Sequence, residues 1–262
     1  MEDKQISAAN AVKLITSGNI VALGGVTLYR RPVGFVRALL RHKPRITDLT
    51  LLNFTAGYES DLLIGAGCVS QVRSCYFGLE IFGFAPKFTE AVQNGAITVI
   101  EESEASLALG IRAALHGVGA LPSHAWQGTD MLNLRTDVKT IVDPYTGEAL
   151  TAFPSLSCDV AVIHALVADR SGNARLNGNL GVDRELSALA KTVIVTAESI
   201  VDHLTGPVDL IAPLVTAVVD MPYGAWPTSC YPSYPIGGGE LLRYIDACNS
   251  GTFDEYCAEF LD

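Results

Sequence analysis

The stretch Ile97-Thr98-Val99-Ile100-Glu101-Glu102-Ser103-Glu104-Ala105-Ser106-Leu107 passes from one hydrophobic pattern to another across three carboxylates. Its first four residues are β-branched or aliphatic and read as a buried strand. Leu107, Leu109, Ile111, Ala114 and Leu115 then recur at a helical period. In an open parallel α/β sheet the residues between a strand and its following helix lie at the carboxyl end of the strand, where such sheets bind ligands. Glu101, Glu102 and Glu104 are therefore the sharpest local cluster of candidate chemistry. Two readings stand side by side. Ser103 suits a helix N-cap, and the helix dipole favours a glutamate in the first turn of any helix. The same carboxylates, facing a crevice, can also take up a proton.

On both sides of this stretch, strands and helices alternate at intervals of roughly 25 to 30 residues, the signature of a parallel sheet with crossover helices. Strands are expected at 19–23, 50–54 and 69–75, with helices at 7–17, 33–40, 59–66 and 84–94. Further on, 119–130 reads as a loop containing Trp126, and 136–153 as a hairpin turning at Asp143-Pro144-Tyr145-Thr146-Gly147. Residues 158–165, 191–198 and 215–219 read as strands, and 182–190 as a helix. An aromatic, Pro-rich loop at 221–235 leads to a final helix at 239–249. The expectation is a single α/β domain over residues 1–262 with an open, mostly parallel sheet flanked by helices.

Composition narrows the function. With 262 residues, 49% of them hydrophobic, the chain can bury a large core. No apolar run approaches the about 18 residues of a membrane span. Residues 1–10 lack the basic and apolar regions of a signal peptide, so a soluble, cytoplasmic protein is expected. A net charge of −10 argues against nucleic-acid or membrane-surface binding. The six cysteines are far apart, without a C-x-x-C pair or histidines at ligand spacing. They read as reduced thiols, with no metal site.

Named motifs are scarce. There is no G-x-x-x-x-G-K-[ST] loop, G-x-S-x-G elbow or H-E-x-x-H, and Gly24-Gly25 is not part of G-x-G-x-x-G. A strand ending in Gly24-Gly25 brings backbone close to a ligand or makes a plain tight turn. Arg30-Arg31, just beyond, is an anion contact or a solvated pair. His164, at the end of a strand, reads as a hydrogen-bonded structural histidine.

Taken together, four segments resemble the alpha subunit of class I coenzyme A transferases, of the glutaconate CoA-transferase type. They are 22–32, 99–114, 164–173 and 190–198, with the loop Tyr223-Gly224-Ala225-Trp226-Pro227-Thr228-Ser229-Cys230-Tyr231-Pro232 alongside. The chain is also similar to the alpha subunit of the steroid ring-opening CoA hydrolase. The resemblance implies an open α/β fold paired with a homologous beta subunit in a heterotetramer or larger assembly. It implies an acyl-CoA substrate, no further cofactor, and a glutamyl-CoA intermediate on the beta subunit. The Ser-Glu-Asn-Gly motif that carries the attacking glutamate is absent here, which assigns it to the partner. Gly24 and Gly25 match the family's glycine loop, without its first glycine and its aromatic. In this reading they bring backbone donors to the acyl-CoA, and Arg30 and Arg31 contact its anionic groups. Glu104 stands where 3-oxoacid transferases carry a glutamine of the oxyanion hole and the steroid hydrolase a catalytic glutamate. The resemblance thus leaves three functions: one half of a transferase, a hydrolase with Glu104 as general base, and a silent scaffold whose cleft is blocked, with Trp226 the residue to suspect.

Overall fold

The computed structural model describes residues 2–261. Its first half runs α1 (Ala8–Val12), β1 (Ile20–Leu23), α2 (Val33–Arg41), β2 (Leu49–Asn53), α3 (Tyr58–Gly65), β3 (Val69–Ser74), α4 (Pro86–Gln93), β4 (Thr98–Glu101) and α5 (Glu104–Leu115). An excursion follows through β5 (Ala120–Ser123), α6 (Met131–Leu134), β6 (Lys139–Val142) and β7 (Ala149–Pro154). The chain then returns through β8 (Val160–Ala165), β9 (Val167–Asp169), β10 (Ala174–Arg175), α7 (Asp183–Leu189), β11 (Thr192–Ala197), β12 (Ile200–Val201) and β13 (Ala217–Asp220), ending in α8 (Gly238–Ser250) and α9 (Phe253–Leu261).

Seven strands form one sheet in the order β13-β11-β8-β1-β2-β3-β4, parallel at every pairing. The expected open parallel α/β sheet is therefore observed. The first four strands extend it one way from β1 and the later three the other way, so the order reverses between β1 and β8. A crevice opens outside the carboxyl ends of the strands at such a reversal.

Both faces are covered, which explains the nearly continuous aliphatic strands. Val21, Leu23, Leu49, Leu51, Val160 and Val162 belong to the larger cluster with α2, α3, α8 and α9. The alternate residues Ala22, Leu52 and Ala161 meet Leu107 and Ile111 of α5 and Leu186 of α7 on the other face. Helix α5 thus leaves edge strand β4 and crosses back over the sheet centre. Gly110 permits the close approach of α5 to the end of β7, since a Cβ there would lie 2.9 Å from the Pro154 carbonyl oxygen.

Two expected elements differ, and one helix lies outside the expectation. The first helix stops at Val12, where the chain turns and Asn19 Oδ1 accepts the Thr16 N–H. Within the expected loop 119–130, β5 pairs antiparallel with β7 and joins the expected hairpin, a strand made by its partner rather than by its own pattern. Beyond the helix expected last, α9 buries Phe253, Tyr256 and Phe260. No described helix is long and apolar enough to cross a membrane.

Candidate active site

The three carboxylates after β4 separate into three environments. Glu101 is exposed at the strand end. Glu102 turns inward, and Oε1 meets Arg73 at 2.9 Å and Arg135 at 2.8 Å while Ser106 donates its hydroxyl to Oε2. Glu104, at the first position of α5, is exposed and lines a cleft of ≈ 390 Å³ with Phe54, Ala108, Val182 and other residues of α5 and α7.

The turn between them is fixed from several directions. Ser103 caps α5: its Oγ accepts the Ser106 N–H at 3.2 Å, and Ser106 Oγ accepts the Ser103 N–H at 2.8 Å. Trp126 Nε1 donates to the same Ser103 Oγ at 2.8 Å, and Arg135 Nη1 donates to the Glu101 carbonyl at 2.7 Å. Trp126 and Arg135 come from the excursion, so this small subdomain holds the start of α5. The capping expectation holds for Ser103, which leaves Glu104 without a hydrogen-bond partner among the described residues. Helix geometry leaves the first amides of α5 without intrahelical acceptors. A carboxylate there can take a proton, and the open amide donors beside it can stabilise a developing oxyanion. Burial, with the charges of Glu104 and Glu102, pushes the neighbouring Cys75 thiol up to about 11. That cysteine stays protonated at neutral pH and is a poor nucleophile.

The glycine loop backs this cleft instead of opening onto it. The Gly24 N–H donates to the Val162 carbonyl at 2.9 Å, and the Gly25 N–H to both oxygens of Asp183 at 3.0 and 3.1 Å. These amides, expected to face an acyl-CoA, are already engaged. Gly25 has φ +86°, and a Cβ there would lie 2.4 Å from the Tyr29 carbonyl oxygen. The loop reaches the cleft wall where a Cβ on Gly181 would sit 2.8 Å from Val26.

Arg30 and Arg31 are fully buried, which rules out a solvated pair. Arg30 donates to Asp183 at 2.9 Å, to the His164 carbonyl at 2.8 Å and to the Asn179 carbonyl at 3.0 Å. Arg31 meets Glu59 at 2.5 Å and the Gly25 carbonyl at 2.9 Å. Both guanidinium groups tie the glycine loop to α3 and α7. Their partners Asp183 and Glu59 escaped the sequence reading, because each lies in the first turn of a helix, where an acid has an ordinary explanation.

Trp226 does not enter the Glu104 cleft. It packs against the cluster on the opposite face and lines a separate cavity of ≈ 470 Å³ with Arg37, Arg41, Met221 and Tyr223.

His164, Glu198 and Cys230 place their ligating atoms within 4.8 Å of one another. Their bonding is that of a clamp. His164 bonds Thr196 Oγ1 at 2.8 Å and Glu198 at 2.7 Å, while Glu198 accepts from Tyr234 Oη and from the Tyr223 N–H at 2.7 Å. Burial pushes the Cys230 thiol up to about 12. Glu198 therefore anchors the aromatic loop 221–235. Burial raises its pKa, but the His164 and Tyr234 hydrogen bonds outweigh this and hold it below its ordinary 4.5. Burial likewise lowers His164 below 6.5, against the opposing pull of Glu198. Both groups bind fewer protons folded than unfolded, so stability falls as pH falls below about 6.5, and again below about 4.5. Glu198→Gln is expected to flatten the acid limb between about pH 5 and pH 3 in urea titrations. An unchanged slope would remove Glu198 from the account. Asp61, raised by burial to about 6, contributes with the opposite sign but is common to both proteins.

The profile of the coenzyme A transferase family matches residues 5–216. The chain is 36% identical over 228 residues to the A-type polypeptide of 3-oxoadipate CoA-transferase from Pseudomonas knackmussii, covering 85% of this chain and 80% of that one. It is 33% identical over 247 residues to the cholesterol ring-cleaving hydrolase IpdA subunit of Rhodococcus jostii, covering 88% and 82%. With an uncharacterised protein of Archaeoglobus fulgidus it shares 35% identity over 274 residues, spanning 56% of that protein's length. The crystal structure of glutaconate coenzyme A-transferase from Acidaminococcus fermentans superposes with a TM-score of 0.90 at 30% identity, covering 98% of this chain and 88% of that one. The parallel sheet, the cleft at its carboxyl edge and these likenesses converge: the chain belongs to the coenzyme A transferase family.

Proposed function

We propose that this chain is the alpha-type subunit of a heteromeric CoA-transferase that acts on acyl-CoA thioesters, completed by a homologous beta subunit. The observation that carries the reading is Glu104: an exposed carboxylate at a helix start, in a cleft at the carboxyl edge of the sheet, with no structural partner among the described residues. The beta subunit supplies the carboxylate that attacks the thioester and displaces CoA as thiolate, leaving an acyl-glutamyl anhydride; the thiolate then attacks the glutamyl carbonyl, releasing the donor acid as carboxylate and leaving a glutamyl-CoA thioester. Glu104 and the open amides at the start of α5 then line the space where the oxyanion develops. Gly24, Gly25, Arg30 and Arg31 support the cleft from behind.

A second reading rests on one feature of the same residue. Glu104 is an acid where an amide would be the plain oxyanion donor, and a carboxylate can act as general base for water in a CoA-dependent carbon–carbon hydrolase. The test is mass spectrometry of the complex with its partner after incubation with acyl-CoA and borohydride. Reduction of a partner glutamate supports the transferase. Turnover without an adduct, with oxygen-18 from water in the product, supports the hydrolase and overturns the first reading.

A further inference from the structure

We propose that the cavity between α2 and the loop 221–226 binds a small organic phosphate, its phosphoryl group held by Arg37 and Arg41 together and its organic body set against Met221 and Trp226. The cavity lies on the α2 side of the sheet, whereas Glu104 begins the helix that covers the other side, so this is a second site whose ligand is not the acyl-CoA.

The cavity follows from the way α2 meets the chain after β13. In the first turn of α2 the Gly34 N–H donates to the Gly224 carbonyl at 2.7 Å, and a Cβ on Gly34 would lie 2.7 Å from Met221 Sδ. Helix and loop touch there with no room for a side chain. Gly34, Arg37, Ala38 and Arg41 follow the helical repeat and share one side of α2. Beyond Gly34 the two elements part around a space of ≈ 470 Å³, with Ala8 of α1, Met221, Tyr223 and Trp226 in the rest of its wall. A mostly apolar and aromatic wall with a few convergent polar groups is the pattern of small-molecule sites.

The two polar groups are both cations, and nothing acidic lines the space. Arg30, Arg31, Arg73 and Arg135 each meet a carboxylate at 2.9 Å or closer, whereas Arg37 and Arg41 make no such pair among the described residues. Arg37 lies over the Phe260 ring at 4.5 Å, and its buried Nε has no hydrogen-bond partner among the described residues. Arg41 donates to the Leu261 carbonyl, which uses one of its five N–H groups. Burial, and after it the charge of Arg41, lower the Arg37 pKa, so the two guanidinium groups are near enough to repel. An anion held by both would relieve that repulsion. One fork serves a carboxylate, but a phosphoryl group offers three oxygens and close to two charges at neutral pH, and so accepts from both. The thioether of Met221 and the indole of Trp226 then suit an apolar or planar body attached to it.

The test is calorimetry on the complex of this chain with its partner, titrated with phenyl phosphate, inorganic phosphate and benzoate. Phenyl phosphate is expected to bind once per copy of this chain, about tenfold tighter than either of the others. Arg37→Gln and Arg41→Gln should each weaken it by about 10- to 100-fold. Arg37 also packs on Phe260, so Arg41→Gln, at an exposed position, separates loss of the site from loss of the fold. No binding at millimolar phenyl phosphate, or binding that survives either substitution unchanged, would overturn the proposal. Benzoate binding as tightly as phenyl phosphate, or inorganic phosphate doing so, would overturn the ligand class. A last arm asks whether the phosphate belongs to a separate small molecule or to CoA itself. Phenyl phosphate that stays bound in the presence of CoA supports a second site, and its displacement by CoA overturns one.

Discussion

Glu104→Ala lowers kcat/KM of the assembled enzyme by about 10²- to 10⁴-fold, the range that a positioned proton-transfer group contributes. The fold is expected to tolerate the change. Glu104 is exposed and unpartnered, and an acid in the first turn of a helix contributes about 0.3–1 kcal/mol through the helix dipole. Activity and stability should therefore separate, with urea unfolding shifted by no more than that amount. Glu104→Gln then distinguishes two chemical roles. A glutamine keeps the size and donates a hydrogen bond, so it preserves turnover if the position assists an oxyanion generated by the partner's nucleophile. It cannot accept a proton, so it fails as completely as alanine if Glu104 is the general base. Undiminished turnover in both variants would place the chemistry elsewhere.

The sheet was legible because its central strands β1, β2, β8 and β11 are buried on both faces and read as short aliphatic runs between glycine and polar breaks, whereas β4, read as a buried strand, is an edge strand with exposed Thr98 and Glu101. β5 was not, because Ala120–Ser123 becomes a strand only when β7 lies beside it. Helix α9 escaped although Phe253, Tyr256 and Phe260 share one face, since aromatic residues near a chain end also suit a loop. At the site, the sequence located the carboxylate cluster but could not sort it. The residues that do so, Arg73, Arg135 and Trp126, come from β3 and from the excursion between β5 and β7. Local spacing carries no record of those contacts. Arg30-Arg31 was harder still. An adjacent pair of cations in an acidic chain suggests exposure, yet the partners that bury it are 153 and 28 residues away.

That burial makes Asp183 a position where a single truncation should cost the fold heavily. The Arg30 and Asp183 side chains are 0% and 1% exposed, and Asp183 also accepts the Gly25 N–H. Asp183→Ala would leave a guanidinium in the interior without its counter-ion and a buried amide without its acceptor. Breaking a buried pair in this way costs about 3–5 kcal/mol. For a chain of this size the loss lowers Tm by about 6–20 °C. Replacing both partners by apolar residues, Arg30→Met with Asp183→Leu, should recover part of it, because the pair also carries a large desolvation penalty. Recovery would be incomplete, since Arg30 also donates to the carbonyls of His164 and Asn179. Thermal and urea unfolding of the two single variants and the double variant measure the coupling. A cost below about 1 kcal/mol for Asp183→Ala would mean that water reaches the guanidinium. The same variants bear on the site, because Asp183 begins α7, whose neighbouring residues Gly181 and Val182 form the wall opposite Glu104. A loosened glycine loop should therefore raise KM before it lowers kcat, the pattern of a displaced cleft wall with its reacting groups intact.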